Sequence, residues 1–158
     1  MAYDFNADEI FEMAVQIEIN GAKFYKKAAD TVSDPSAKQF LVELAQMEAE
    51  HEKTFLSLKK DLADKEKKST IFDPDGDAVE YLHALAGTRV FFEKKMDTSS
   101  LKEIFKDALT AEKDSIVFYL GMKELVPDHL GKDKIENIIK EEMKHISSLG
   151  LRLSDLGN

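Results

Sequence analysis

The sequence predicts an all-α protein, an antiparallel four-helix bundle with one long crossover carrying a short extra helix. Three observations lead there. Glycine and proline are scarce, at 7 and 3 in 158 residues, while 43% of the chain is apolar and 34% charged, a balance suited to a few long helices rather than many short strands. Four long segments carry apolar side chains at alternating spacings of three and four, the repeat of one helical face. The breaks between those segments run short, long, short, which is the connectivity of a bundle closed by a single crossover.

The first helix is expected from about Ala7 to Val32, capped by Asn6 or Asp8. It stops before Ser33-Asp34-Pro35, where Asp34 can cap the next helix and Pro35 fits its first position. The second helix then runs to about Asp64, completing a hairpin over 7–64. The crossover, 65–98, opens with the solvated run Lys65-Glu-Lys-Lys68, passes the breaker Asp73-Pro-Asp-Gly-Asp77 and carries a shorter helix from Ala78 to about Lys94. Ser100-Leu-Lys-Glu103 reads as a capping box for a third helix ending near Pro127, and a fourth extends from about Gly131 to Leu153, giving a second hairpin over 100–153. Residues 1–158 are thus expected to form one domain.

Composition narrows the function. With 22 basic against 31 acidic residues the net charge is −9, which argues against a general affinity for nucleic acid or an anionic membrane surface. The absence of cysteine removes disulfides, thiolate nucleophiles and cysteine-ligated iron centres. The start, Met1-Ala-Tyr-Asp-Phe, has no basic and then apolar leader, and the uncharged stretch Ser115 to Met122 is far short of a span of about 20 residues, so a soluble cytoplasmic protein is expected.

The helical seams hold the informative residues. In the first helix the seam reads Phe11, Ala14, Glu18, Gly21, Tyr25, Ala28, Val32, and in the second Ala37, Leu41, Leu44, Glu48, His51, Phe55, Leu58, Leu62. The third gives Leu101, Phe105, Ala108, Glu112, Ser115, Tyr119, Met122, Val126, and the fourth Ile135, Ile138, Glu142, His145, Leu149. Each apolar stripe is interrupted at mid-helix by a carboxylate, twice followed three residues later by histidine. Ionised carboxylates in an apolar interior cost several kcal/mol apiece, on the order of the penalties seen for other buried ions. Four together require protons or bound cations, and metal is the economical explanation.

Register agrees. The midpoints of 18 with 48 and with 51 fall at 33 and 34.5, inside Ser33-Asp34-Pro35, and those of 112 with 142 and with 145 fall at 127 and 128.5, on Pro127-Asp128-His129. In antiparallel hairpins these side chains are level. Residues 14–56 also align without a gap on 108–150 at an offset of 94, with nine identities that include Glu18 with Glu112, Phe24-Tyr25 with Phe118-Tyr119, Glu48 with Glu142 and His51 with His145. A pseudo-twofold bundle with a two-metal centre is what such a repeat builds.

One Glu from each of two helices plus Glu-x-x-His from each of the other two is the di-iron arrangement of ferritin-like bundles. At Glu18 with Asn20-Gly21-Ala22-Lys-Phe-Tyr25, Glu48-Ala-Glu-His51, Glu112 with Phe118-Tyr119, and Glu142-Met-Lys-His145, the chain resembles the rubrerythrin branch of that superfamily. The resemblance implies a ferritin-like fold with two iron ions, bridged by Glu48 and Glu142, with Glu18 and His51 completing one site and Glu112 and His145 the other. The same donors suit manganese or zinc. Tyr25 and Tyr119, seven residues after Glu18 and Glu112, are placed either to donate hydrogen bonds to ligating carboxylates or to serve as ordinary core aromatics.

The activity implied is a redox one, catalysed around Glu18, Glu48, Glu112, Glu142, Tyr25 and Tyr119: reduction of hydrogen peroxide or dioxygen by a cytoplasmic homodimer. Without cysteines there is no rubredoxin-like iron domain, so electrons are expected from a separate donor such as a rubredoxin-like protein. Rubrerythrins also place an extra Glu one turn after the third-helix ligand, and here that position is Ser115. The alternatives are a ferritin-like iron-oxidising and storage protein, and a structural bundle without metal. Outside the seams, His83 and His129 read as surface or structural residues, Glu50, Glu52 and Glu141 as solvated, and Phe91-Phe92 as a cover for the bundle or a neighbouring subunit.

Overall fold

Asn6 begins the first helix by a reciprocal pair of bonds: its side chain accepts from the Glu9 N–H at 2.8 Å, and the Glu9 carboxylate accepts from the Asn6 N–H at 3.0 Å. The computed structural model describes residues 6–65, 77–87 and 100–157. From that cap α1 runs Ala7–Thr31, turns through Val32 and Ser33, and hands over to Asp34, whose side chain accepts from Ala37 N–H at 2.8 Å to open α2, Pro35–Lys60. Such caps are each worth about 1 kcal/mol. α3 spans Asp77–Gly87, α4 Leu101–Leu125, and a 3-10 turn at Asp128–Leu130 leads into α5, Lys132–Leu156. No helix among the described residues is long and apolar enough to cross a membrane.

The element order matches the expectation, with local differences. α2 ends at Lys60 rather than near Asp64: the Asp61 N–H still donates to the Ser57 carbonyl in the α pattern, but the Leu62 N–H tightens onto the Lys59 carbonyl, a 3-10 step that carries Leu62 into the core. The Ser100 cap forms, its hydroxyl accepting from Glu103 N–H at 3.1 Å, but the Glu103 carboxylate faces Lys106 at 3.7 Å, and the full capping box stands at Asn6 instead. Of the crossover helix expected over 78–94, residues 77–87 are helical; its remainder, the breaker at 73–76, the His83 side chain and Phe91-Phe92 lie outside the described residues.

α1 packs along α2 and α4 along α5, while α3 lies on α4. The core divides into two apolar layers. One gathers the start of α1, the end of α2, the end of α4 and the start of α5, with Phe11, Phe55, Phe118, Met122 and Ile135 fully buried and Leu82 of α3 joining them. The other gathers the opposite ends around Leu41, Phe105, Ala108 and Leu149. α1 and α5 therefore run parallel, as do α2 and α4, and the end of α2 and the start of α4 lie at opposite ends of the bundle. α3 sits close because Gly121 of α4 has no side chain: a Cβ there would stand 2.7 Å from the Tyr81 ring, whose hydroxyl donates to the Val117 carbonyl at 2.8 Å.

Gly131 caps the second hairpin with φ of 96°, and a Cβ there would stand 2.4 Å from Leu58 Cδ2 of the first hairpin. Replacing it with alanine is expected to cost at least about 1–2 kcal/mol in left-handed strain, before any repacking of Leu58. For a domain of this size that lowers Tm by roughly 3–8 °C in calorimetry, and an unchanged Tm would show that the turn does not require glycine.

Candidate metal centre

Between the two apolar layers lie all six of the seam residues: Glu18 of α1, Glu48 and His51 of α2, Glu112 of α4, Glu142 and His145 of α5, none more than 4% exposed. They converge because each sits at the middle of its helix and both hairpins are level. Two overlapping groups form, Glu18, Glu48, His51 and Glu142 on one side and Glu48, Glu112, Glu142 and His145 on the other, each with one donor atom per residue within 4.8 Å of the others. Glu48 and Glu142 belong to both.

The imidazoles point their Nδ1 atoms into the carboxylates. His51 Nδ1 stands 3.3 Å from Glu142, 3.5 Å from Glu18 and 3.7 Å from Glu48. His145 Nδ1 stands 2.9 Å from Glu142, 3.3 Å from Glu112 and 3.6 Å from Glu48. Yet both Nδ1 atoms, with Glu18 Oε2 and Glu142 Oε2, are buried without a hydrogen-bond partner. Buried polar atoms are ordinarily satisfied, so four that converge on one spot are the mark of donors awaiting a cation. Carboxylate oxygens and imidazole nitrogens suit iron, manganese or zinc.

Burial first, and then the neighbouring Glu48 and Glu112 carboxylates, push Glu142 up to about 8. Glu18, Glu48 and Glu112 are raised for the same reason, burial leading and a second carboxylate adding to it. Burial alone would lower the imidazoles, but the carboxylates outweigh it, holding His145 up to about 12 and His51 higher still. Protons thus occupy the cluster when metal does not.

Tyr25 and Tyr119 act as donors, and they do so crosswise. The Tyr25 hydroxyl on α1 donates to Glu112 Oε1 on α4 at 2.5 Å, and the Tyr119 hydroxyl on α4 donates to Glu18 Oε1 on α1. Burial, and after it the adjoining carboxylates, raise both phenols well above their usual range, so each stays protonated and able to donate. Each tyrosine ties the terminal glutamate of the opposite hairpin.

Ser115 turns its hydroxyl back onto the Ala111 carbonyl at 2.9 Å. Among the residues outside the seams, Glu50 is exposed and paired with Lys53, and His129 is exposed, as expected. Glu141 corrects the expectation of a solvated residue: half-exposed, it brings Oε2 to 2.5 Å from His51 Nε2. The signal for it was its place beside Glu142, on the edge of α5 that turns toward α2. A cleft of about 450 Å³ between α2 and α5, lined by Glu50, Lys53, Lys134 and Asn137, reaches His51 and Glu141 from solvent.

Residues 9–151 match the family model described as rubrerythrin. The chain belongs to the rubrerythrin family. A solved structure from Thermotoga maritima, described as a ferritin-like diiron-carboxylate protein, matches with a TM-score of 0.68 at 22% identity, over 94% of this chain and 95% of that one. That likeness gives the ferritin-like fold. No curated protein matches the sequence. Rubrerythrin-family membership and the donor set together support a di-iron protein.

In this rubrerythrin-family cluster every shift has the same consequence for pH. A group whose pKa is higher folded than unfolded brings stability that is complete below its unfolded pKa and is lost as pH rises through its folded value. The metal-free protein should therefore lose Tm from about pH 5 upward, first as Glu142 titrates through about 8, with the imidazole contribution declining as well from about pH 6.5 toward the His145 value of about 12. Glu142→Gln should flatten that decline and raise the metal-free Tm at pH 8 by roughly 3–6 °C, about 1–2 kcal/mol, while weakening divalent-metal binding. Divalent metal should be bound with release of protons, and more tightly as pH rises, measured by calorimetry in buffers of different ionisation enthalpy. Tyr25→Phe and Tyr119→Phe each orphan a buried carboxylate oxygen and should cost about 1–3 kcal/mol in denaturant unfolding of the metal-free chain.

Proposed function

We propose that this chain is a non-haem di-iron oxidoreductase that reduces hydrogen peroxide, or dioxygen, with electrons from an external donor. The observation that carries the reading is the pair of overlapping four-residue clusters sharing Glu48 and Glu142. In this assignment Glu18 and His51 would hold one ion and Glu112 and His145 the other, with Glu48 and Glu142 shared between the two. Two ferrous ions bound there would supply one electron each, matching the two electrons that peroxide takes on reduction to water. The four carboxylates balance the charge of two divalent ions, which accounts for placing so many acids in an apolar interior.

The chain's own groups prepare that chemistry. Tyr25 and Tyr119 hold one oxygen each of Glu112 and Glu18, leaving Glu18 Oε2 free to face the centre. Phe55 and Phe118 on one side and Leu41 and Phe105 on the other exclude bulk water, which strengthens every electrostatic interaction between them. The cleft at His51 and Glu141 gives a small oxidant a polar approach from solvent. The electrons would come from outside these 158 residues, which hold no cysteine with which to build an iron–thiolate centre.

An anaerobic Fe(II) titration of metal-free protein, followed by a single addition of peroxide or air, tests the reading. Saturation near two irons per chain, with oxidation faster by peroxide than by air and both irons retained, is the expected outcome. Continued uptake of many irons per chain after oxidation would instead assign iron oxidation and storage. Binding of no iron would overturn both.

A further inference from the structure

The two histidines of the repeat differ in what stands behind them. His51 Nε2 has Glu141 Oε2 at 2.5 Å, reaching across from α5. His145 Nε2 is buried and has no hydrogen-bond partner. The offset of 94 that superposes Glu48 on Glu142 and His51 on His145 superposes Met47 on Glu141. Position 47 thus bears the same relation to His145 that position 141 bears to His51, and there the chain carries a thioether, 38% exposed, in place of a carboxylate.

We infer that Glu141 is a positioning residue for His51 and that it makes the two metal positions unequal, with the site of Glu18, Glu48, His51 and Glu142 filled first and held more tightly. The inference rests on the two-metal reading above. A carboxylate accepting from Nε2–H fixes the tautomer that leaves the Nδ1 lone pair for metal, holds the ring plane, and makes the imidazole a stronger donor. His145 lacks all three: its ring must keep a buried N–H unsatisfied whenever Nδ1 binds a cation, and that cost falls on the second site alone. Removing such an outer partner typically lowers metal affinity by about 10–100-fold.

The halves of the repeat supply a gain-of-function test. Metal-free full-length protein is titrated with Co(II) and the stepwise dissociation constants are read by calorimetry, with thermal unfolding of each metal-free variant confirming its fold. The wild-type chain should bind two Co(II) in resolved steps at least about 10-fold apart. Glu141→Gln should weaken the tighter step by about 10–100-fold and leave the weaker one within a few-fold, drawing the two together. Met47→Glu, a change at a partly exposed position, should tighten only the weaker step, because it offers His145 the partner that His51 already has. Two Co(II) bound with equal affinity in the wild type, or equal losses at both steps in Glu141→Gln, or no effect of Met47→Glu on the weaker step, would each overturn the inference while leaving the two-metal reading in place. Failure of the wild-type chain to bind two Co(II) would overturn both.

Discussion

Crowding four carboxylates and two imidazoles into a dry layer at mid-bundle is the constraint on which the rest of this structure depends. Each ion would be costly there alone, and the carboxylates repel one another as well. The fold answers by levelling both hairpins on one plane, so that opposite charges can share the space, and by sealing that plane with an apolar layer above and below. On α2, Phe55 and Leu58 join the seal on one side of the acids and Leu41 and Leu44 the seal on the other, and each seal draws residues from all four bundle helices. The apolar layers drive folding, and the polar layer sets the register at which they must meet.

That register is enforced by two hydroxyls. Helices packed only by apolar ridges can slide by a turn at modest cost, whereas a slide of α1 against α4 would break Tyr25 from Glu112 and Tyr119 from Glu18 together. The bonds cross between hairpins, so the terminal glutamate of either half is held by the other. The short Ser33-Asp34-Pro35 and Pro127–Gly131 turns do the same within each hairpin: Asp34 and Gly131 fix where α2 and α5 begin, and hence the height of Glu48 and Glu142.

Much of this was legible in the sequence because period and register are local arithmetic. Every seam residue assigned to α2, from Ala37 to Leu62, is buried, and so is every one assigned to α5. The six site residues could be brought together on paper because two short turns leave an antiparallel helix no choice of height. What escaped were matters decided by atoms rather than by period. The end of α2 depends on whether Leu62 goes to the core or the helix goes on, and the Leu62 N–H tightens onto the Lys59 carbonyl instead of continuing the α pattern. Glu9, rather than Glu103, completes a capping box, although both stand three residues after a good cap. Glu141 sits one residue off the seam, where a helical wheel places it in water; only the length of a glutamate side chain and the approach of α2 bring it to His51.

The crossed tyrosines carry a consequence for how such a molecule can be assembled. Neither hairpin holds a finished half of the centre, since each lends its tyrosine to the other's glutamate. Two identical hairpins related by a true dyad would rebuild the same constellation, but every feature of one would then be copied in its twin. Joining the halves through a crossover lifts that copying rule: α3 can lie against α4 with no counterpart among the described residues, and one histidine can face a carboxylate while the Nε2 of its equivalent has no partner. Covalent fusion gives the pseudo-symmetric molecule a freedom that a symmetric pair of peptides lacks, namely that its two halves can be tuned one at a time.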